Sequence, residues 1–345
     1  MKKTDMEMYN SLPQSASLTA PSSEGALMRG CNGETIYALG FFDGVHLGHG
    51  ALLRACRTLA HEMGCTAGVV TFQGHPEGLV LGKAPLLINT PADREKLLRE
   101  NYRMDKVVSL RFDRALMEMP WQEFFRLLLD QYNAAGFVCG HDFRFGYRGQ
   151  GNAALLQQVC REAGIPCIVV PEQTLGGVTV SSTHIRSLME AGEMEQAVRF
   201  LGHPHILTGK VVSGRRLGRT IGIPTANVLI PEGIVALKRG VYAGKCLVEG
   251  AIYPAVTNIG SRPTVDGHQV RAESWLLDFA GDLYGKEITL EFYRFLRPEQ
   301  KFDSLEALKA QIQRDAEKTR EYFTKTFPLE GRWAGYNLKC NTQIK

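Results

Sequence analysis

The chain has 345 residues, a formal net charge of +4, 44% hydrophobic residues and eight cysteines. That length argues for two domains rather than one core, and so mild a charge argues against a dedicated nucleic-acid binder while leaving room for small anionic substrates. No apolar run is long enough to span a bilayer, and Cys56, Cys139, Cys160 and Cys167 fall in apolar patterns as free thiols do, so the expected setting is the cytoplasm, away from membranes.

Residues 1–24 are polar and lack a hydrophobic signal core, and they read as a disordered tail. From Thr35 to about Leu201, apolar runs alternate with helical patterns. Strands are expected at Ile36–Phe42, Ala67–Phe72, Lys106–Phe112, Gly136–Phe143 and Cys167–Pro171, with helices at Leu47–Met63, Ala92–Asn101, Trp121–Tyr132 and Asn152–Ala163. Such alternation predicts a parallel sheet with right-handed crossovers, whose ligands lie at the carboxyl ends of the strands. No Gly-x-Gly-x-x-Gly turn follows the first strand, so a nucleotide must be held by another device.

Three segments fall at those strand ends. The first, Gly40 to Gly50 (GFFDGVHLGHG), puts His46 and His49 three residues apart at a helix start, where free N–H groups and the helix dipole favour an anion. Polar surface or half of a metal site are the alternatives, although no third ligand stands at a metalloprotease spacing. The second is Gln73-Gly74-His75-Pro76, which a simple turn also explains. The third runs from Gly140 through Asp142 to Gly146, where the alternating Phe143 and Phe145 suit an ordinary strand equally well. Further on, Ser181-Ser182-Thr183-His184-Ile185-Arg186 opens a helix, as N-caps or as a seat for a phosphate chain.

After Leu201 the pattern changes to short β-rich runs: Ile206–Ser213, Thr225–Ile230, Val241–Val248, Tyr253–Ile259, Ser274–Phe279 and Glu287–Leu296. They predict an antiparallel sheet closed into a barrel, followed by one helix carrying Leu305, Leu308, Ile312 and Phe323 on a face and a capping box from Asp303 to Glu306. Within this half, Gly214 to Gly222 interleaves glycines with three arginines ahead of Pro224-Thr225-Ala226-Asn227. A nucleotide phosphate suits that loop, and the oxygens of Thr225 and Asn227 suit magnesium. Glu273 lies in an otherwise apolar strand, either as an exposed residue or as a base for phosphoryl transfer.

Together these segments resemble the bifunctional riboflavin kinase/FMN adenylyltransferase family over about residues 34 to 325. Phe42 to His49 looks like its His-x-Gly-His nucleotidyltransferase motif, with Asp142 to Gly146 and Ser181 to Arg186 as companions. Pro224 to Asn227, Tyr253 to Gly260 and Glu273 through Gly285 are similar to its kinase signatures. The resemblance implies an α/β nucleotidyltransferase-like parallel-sheet domain (25–201), then a six-stranded antiparallel β-barrel kinase domain with a C-terminal helix (202–327) and a tail (328–345). It implies that Glu273, His46 and His49 are catalytic. It assigns ATP and its phosphates to Gly40, Asp43, Gly48, Asp142, Ser182, Thr183, Arg186, Gly214, Arg219, Gly222, Thr225 and Asn227, the flavin to Phe72, His75, Asn258 and Arg297, and Mg2+ to Thr225 and Asn227. Riboflavin, FMN and ATP are the implied partners of a monomer or weak homo-oligomer that binds neither nucleic acid nor membrane. Three positions depart from the family pattern: Phe41 where Asn is usual, Gln73-Gly74 for Asp-Pro, and Trp275 for His. Phe41 and Gln73-Gly74 suggest one alternative, a riboflavin kinase with a weak or inactive adenylyltransferase half, and the basic Arg215–Arg219 loop suggests another, a non-catalytic flavin- or nucleic-acid-binding regulator.

Overall fold

The structure is a computed structural model that describes residues 33–74, 78, 85–213, 222–264 and 267–326. The sequence-based assignments of His75, Gly214 and Arg219, and those of the two tails, lie outside the described residues.

The first half is a five-stranded parallel sheet in the order β3-β2-β1-β4-β7, made of β1 (Thr35–Leu39), β2 (Thr66–Gln73), β3 (Lys106–Arg111), β4 (Ala134–Gly140) and β7 (Cys167–Val170). Between β4 and β7 lies a two-residue hairpin, β5 (Arg144–Phe145) with β6 (Gly151–Asn152); a second, β8 (Thr174–Leu175) with β9 (Val178–Thr179), follows β7. The winding reverses between β1 and β4, and their carboxyl ends therefore border a crevice where ligands bind in such sheets. β4 stops at Gly140 rather than Phe143 because the Phe143 N–H turns back to the Gly140 carbonyl at 3.1 Å.

Local chemistry fixes the helix starts. Thr90 accepts from the Asp93 N–H at 3.0 Å with Pro91 at the first helical position, which sets the Pro91–Glu100 helix. Asn152 does the same for Ala153–Glu162. The Leu47–Met63 helix ends at Gly64, whose φ of 67° only glycine adopts freely, and it buries Leu53 and Cys56 against the sheet.

The second half is a six-stranded antiparallel barrel in the order β10-β15-β12-β13-β14-β11: β10 (His205–Lys210), β11 (Ala226–Leu229), β12 (Gly240–Val248), β13 (Ala251–Thr264), β14 (Gly267–Leu276) and β15 (Glu287–Arg297). The two edges approach through a bridge from Val212 to Asn227, which nearly closes it. A C-terminal helix, Leu305–Thr326, packs on β12 and β13. Its cap is Ser304, whose hydroxyl accepts from the Ala307 N–H at 3.0 Å; the expected Asp303–Glu306 box is replaced because the chain enters the helix one residue later. Two charged anchors hold this helix. Arg297 grips the buried Asp315 through Nε and Nη2 at 2.9 and 2.8 Å, and Lys245 lies over the rings of Tyr293 and Phe323.

One hydrophobic core runs across both halves. Ile88 and the helices Ser182–Ala191 and Met194–Leu201 share it with barrel residues such as Val228, Tyr242 and Phe292. Main-chain bonds add to the junction, with Leu87 N–H to Gly233 and Val235 N–H to Leu87 at 2.7 and 2.8 Å. No helix among the described residues is long and apolar enough to cross a membrane.

Candidate active sites

In the barrel, strand pairing alone assembles the first site. Arg297 on β15 pairs with Val241 on β12, Val241 with Asn258 on β13, Asn258 with Glu273 on β14, and Glu273 with Asn227 on β11. Directly paired residues share a face of the sheet. A single row across five strands therefore carries four of the residues expected in the kinase site, and the whole row lines a cavity of about 720 Å3. That volume suits a drug-sized ligand. Thr225 lines the cavity as well, as do Trp275, Phe279, Tyr284 and Phe302. Gly222 enters the segment with φ 75°, a backbone that favours glycine ahead of the rigid Pro224.

The polar groups of this cavity differ in what they can still accept. The Asn227 side-chain oxygen is buried and without a hydrogen-bond partner among the described residues, beside Glu273 in the row. Orphan acceptors at such depth are costly unless a ligand meets them. This oxygen and the Thr225 hydroxyl form a hard-donor pair that fits magnesium. Asn258 donates to Glu299 at 3.3 Å, and Arg297 is committed to Asp315. Arg297, expected to meet the flavin, lines the cavity and joins its wall to the C-terminal helix. Asp315, which nothing in the sequence singled out, is the residue that makes it so.

The second site lies where β1 ends. Phe42, Gly44 and Val45 all have positive φ, at 59°, 78° and 42°. For a β-branched residue such as Val45 this is strained backbone, costing about 1 to 2 kcal/mol. The turn buries Asp43, whose carboxylate accepts from the Ile88 N–H at 2.8 Å and from Arg186 Nη1 at 2.9 Å. Burial pushes the Asp43 carboxyl up, and these two donors hold it down in part. Ser182 donates to the Asp43 carbonyl at 2.9 Å, and Arg186 Nη2 reaches the Thr183 hydroxyl at 3.2 Å. The start of the Ser182–Ala191 helix is in this way fastened to the turn.

His46 caps the next helix, its Nδ1 accepting from the His49 N–H at 3.3 Å, and the two rings stack with centroids 3.6 Å apart. Gly48 lets His46 fold back, since a Cβ there would lie 3.1 Å from the ring. Burial, then the charge of His203, lowers His46 to about 3. Burial also holds His49 well below its usual range, with His46 adding to the effect. Both are neutral at pH 7, and the buried Nδ1 of His49 has no partner among the described residues. The pair presents hydrogen-bonding imidazoles to an anion rather than fixed positive charge, and an arriving phosphate would draw protons onto them.

Beneath the turn lies Arg94, 2% exposed. Its Nη1 and Nη2 donate to the carbonyls of Phe41 and Phe72 at 3.1 and 2.6 Å, which ties the end of β1 to the end of β2, and its guanidinium stacks on the Phe41 ring. Burial pulls it down to about 10, well above neutrality, so it stays charged. Phe72 packs edge-on to Phe112. Gly40 sits against the Phe42 ring and Asp142 is exposed beyond β4, its Oδ1 2.8 Å from where a Cβ on Gly140 would stand. Sequence reasoning missed Arg94, for an arginine inside an ordinary capped helix carries no local signal.

Comparison with known proteins finds two family matches, one described as FAD synthetase over residues 29–184 and one as riboflavin kinase over residues 201–323. Curated relatives span nearly all of both. The bifunctional riboflavin kinase/FMN adenylyltransferase of Escherichia coli strain K12 is 39% identical over 296 residues, covering 85% of this chain and 94% of that protein. The protein of the same description from Listeria monocytogenes is 34% identical over 293 residues, with 84% and 93% covered. A crystal structure described as a macrolide-efflux protein from Streptococcus pneumoniae superposes with a TM-score of 0.75 at 31% identity, covering 84% of this chain and 95% of that one.

Proposed function

Since the chain belongs to the bifunctional riboflavin kinase/FMN adenylyltransferase family, we propose that its two reactions divide between the two sites above, the barrel cavity making FMN and the Asp43–His49 turn making FAD. The enzyme phosphorylates riboflavin with ATP and then joins FMN to the adenylyl group of a second ATP, releasing pyrophosphate. Both halves are matched, and neither the kinase-only reading nor the non-catalytic regulator gains support.

In the barrel, Glu273 takes the proton of the terminal ribityl hydroxyl as its oxygen attacks the γ-phosphorus of ATP and ADP leaves. Thr225 and the orphan oxygen of Asn227 would hold magnesium, whose charge would neutralise that of the phosphates. Trp275, Phe302 and the residues from the C-terminal helix give the cavity an apolar end for the flavin ring. The observation that carries this reading is the row Arg297, Val241, Asn258, Glu273, Asn227 along one cavity wall.

At the turn, an FMN phosphate oxygen attacks the α-phosphorus of ATP and pyrophosphate leaves. His46 and His49 stabilise the charge that develops, while Thr183 and the free N–H groups of its helix face the pyrophosphate. Ser182 and Arg186 serve by shaping the turn through Asp43. We read the chain as a cytoplasmic monomer or weak homo-oligomer acting without nucleic acid, on the support of its mild net charge. Incubation with riboflavin, magnesium and ATP, followed by chromatography of FMN and FAD, tests the division. Glu273→Gln is expected to stop FMN formation and His49→Ala to stop only its conversion to FAD. FAD synthesis that survives His49→Ala would refute the second assignment.

A further inference from the structure

We propose that His203, in the linker between the two halves, is a positioning residue for adenylyl transfer, holding the strained Asp43–Val45 turn in shape through the carbonyl of Gly44. The inference rests on the assignment of that turn to adenylyl transfer.

A turn with positive φ at Phe42, Gly44 and Val45 does not persist on local preference, and surrounding structure has to over-determine it. Most of its supports come from within the α/β half: Ile88 and Arg186 on the Asp43 carboxylate, Ser182 on the Asp43 carbonyl. His203 is the exception. It follows Gly202, whose φ of 79° ends the Met194–Leu201 helix, and precedes Pro204, which leads directly into β10 of the barrel. Its ring is 4% exposed, with Nε2 3.0 Å from the Gly44 carbonyl oxygen and Nδ1 2.7 Å from that of Pro204.

Both neighbours are pure acceptors, so the ring serves them only as a donor. With Nε2 protonated it fixes the Gly44 carbonyl, and with both nitrogens protonated it fixes linker and turn together. Burial opposes the second state and the two carbonyls favour it. The steric setting reinforces the grip. A Cβ on Gly44 would lie 2.8 Å from Ile88 and 3.3 Å from Leu201, so the turn has no room to swing toward the linker. Its freedom lies in rotating the Gly44–Val45 peptide, whose N–H meets the Phe42 carbonyl at 3.1 Å and whose carbonyl His203 holds. Only Val45 separates that peptide from His46, the cap of the helix that carries His49. Release of the carbonyl therefore displaces both imidazoles from the phosphate position. A histidine that merely filled the junction would have no reason to meet the one carbonyl at the centre of the strained turn.

The test uses the full chain with His203→Leu and His203→Gln, the latter retaining a side-chain donor of similar reach. For His203→Leu, kcat for FMN to FAD is expected to fall about 100-fold while KM for ATP and FMN moves no more than about threefold, as for a displaced catalytic constellation. Riboflavin to FMN is expected to stay within about twofold, and amide exchange to quicken over residues 44–50 but not in the barrel. His203→Gln is expected to regain at least about a tenth of the lost kcat. Three results overturn the inference: an unchanged adenylyl kcat in His203→Leu, a parallel loss of both activities with exchange raised throughout the barrel, or a Gln variant no better than Leu. His49→Ala in the same series separates the premise from the inference. If it retains FAD synthesis, the site assignment itself has failed and the inference with it.

Discussion

The two sites are built in opposite ways. The barrel site is largely a product of strand pairing: four strands in register place Val241, Asn258, Glu273 and Asn227 in one row, and a bulge between β12 and β15 brings Arg297 to its end. The turn after β1 is irregular. Its residues reach their places because Arg94, Ile88, Arg186 and His203, from four separate segments, hold a backbone that would otherwise relax. A site on a ladder tolerates change around it and depends on its own side chains. A site on a strained turn depends on its supports as much as on the groups that meet substrate.

The contrast can be broken at several points. The largest effect is expected from Glu273→Gln, which should lower FMN formation about 1000-fold by removing the base and leave FAD synthesis from supplied FMN intact; steady-state assays of the two half-reactions measure both. Next is Asp315→Ala. It strands Arg297, whose side chain is only 15% exposed, and should cost about 3 to 5 kcal/mol in urea unfolding. A small loss there would mean that the C-terminal helix holds to the barrel without its charged anchor. Arg94→Met leaves the carbonyls of Phe41 and Phe72 buried without donors, and kcat for FAD formation should drop about 100-fold with the kinase unaffected. Equal loss of both activities would show that Arg94 supports the whole fold and not the turn alone.

The smallest effect concerns pH. His46 and His205 are both held at about 3 by burial, below the unfolded value of roughly 6.5. Between those values the unfolded chain binds more protons than the native one, so stability is present above about pH 6.5 and is lost as pH falls toward 3, by up to about 1.4 kcal/mol per unit for each ring. The buried carboxyls of Asp43, Asp93 and Glu291, raised by burial, act with the opposite sign and blunt the slope. Urea unfolding at pH 7.5 and pH 5 should show the protein weaker at pH 5. Greater stability at the lower pH would mean that the carboxyls outweigh the histidines.

Much of the barrel site was legible because strand alternation is a local property. Glu273 and Trp275 share parity within one strand, and the Gly214–Asn227 segment announces itself by its density of glycines, arginines and oxygen donors. The turn was legible in outline, since a histidine pair at a helix start is a recognisable pattern, yet the sequence could not say that His46 would cap the helix and stack on His49. Arg94, Asp315 and His203 were invisible for a common reason. Each matters through a partner 18 to 159 residues away, and a partner at that distance leaves no trace in neighbouring residues. The same limit hid the pairing of Arg186, expected at the phosphates, with Asp43 across 143 residues.

The most direct test of the separation is to supply Glu273→Gln with ATP and magnesium and either riboflavin or FMN, and to follow FAD by chromatography. The two-site account predicts FAD at the wild-type rate from FMN and none from riboflavin. Loss of FAD from both substrates, or its continued formation from riboflavin, would contradict it.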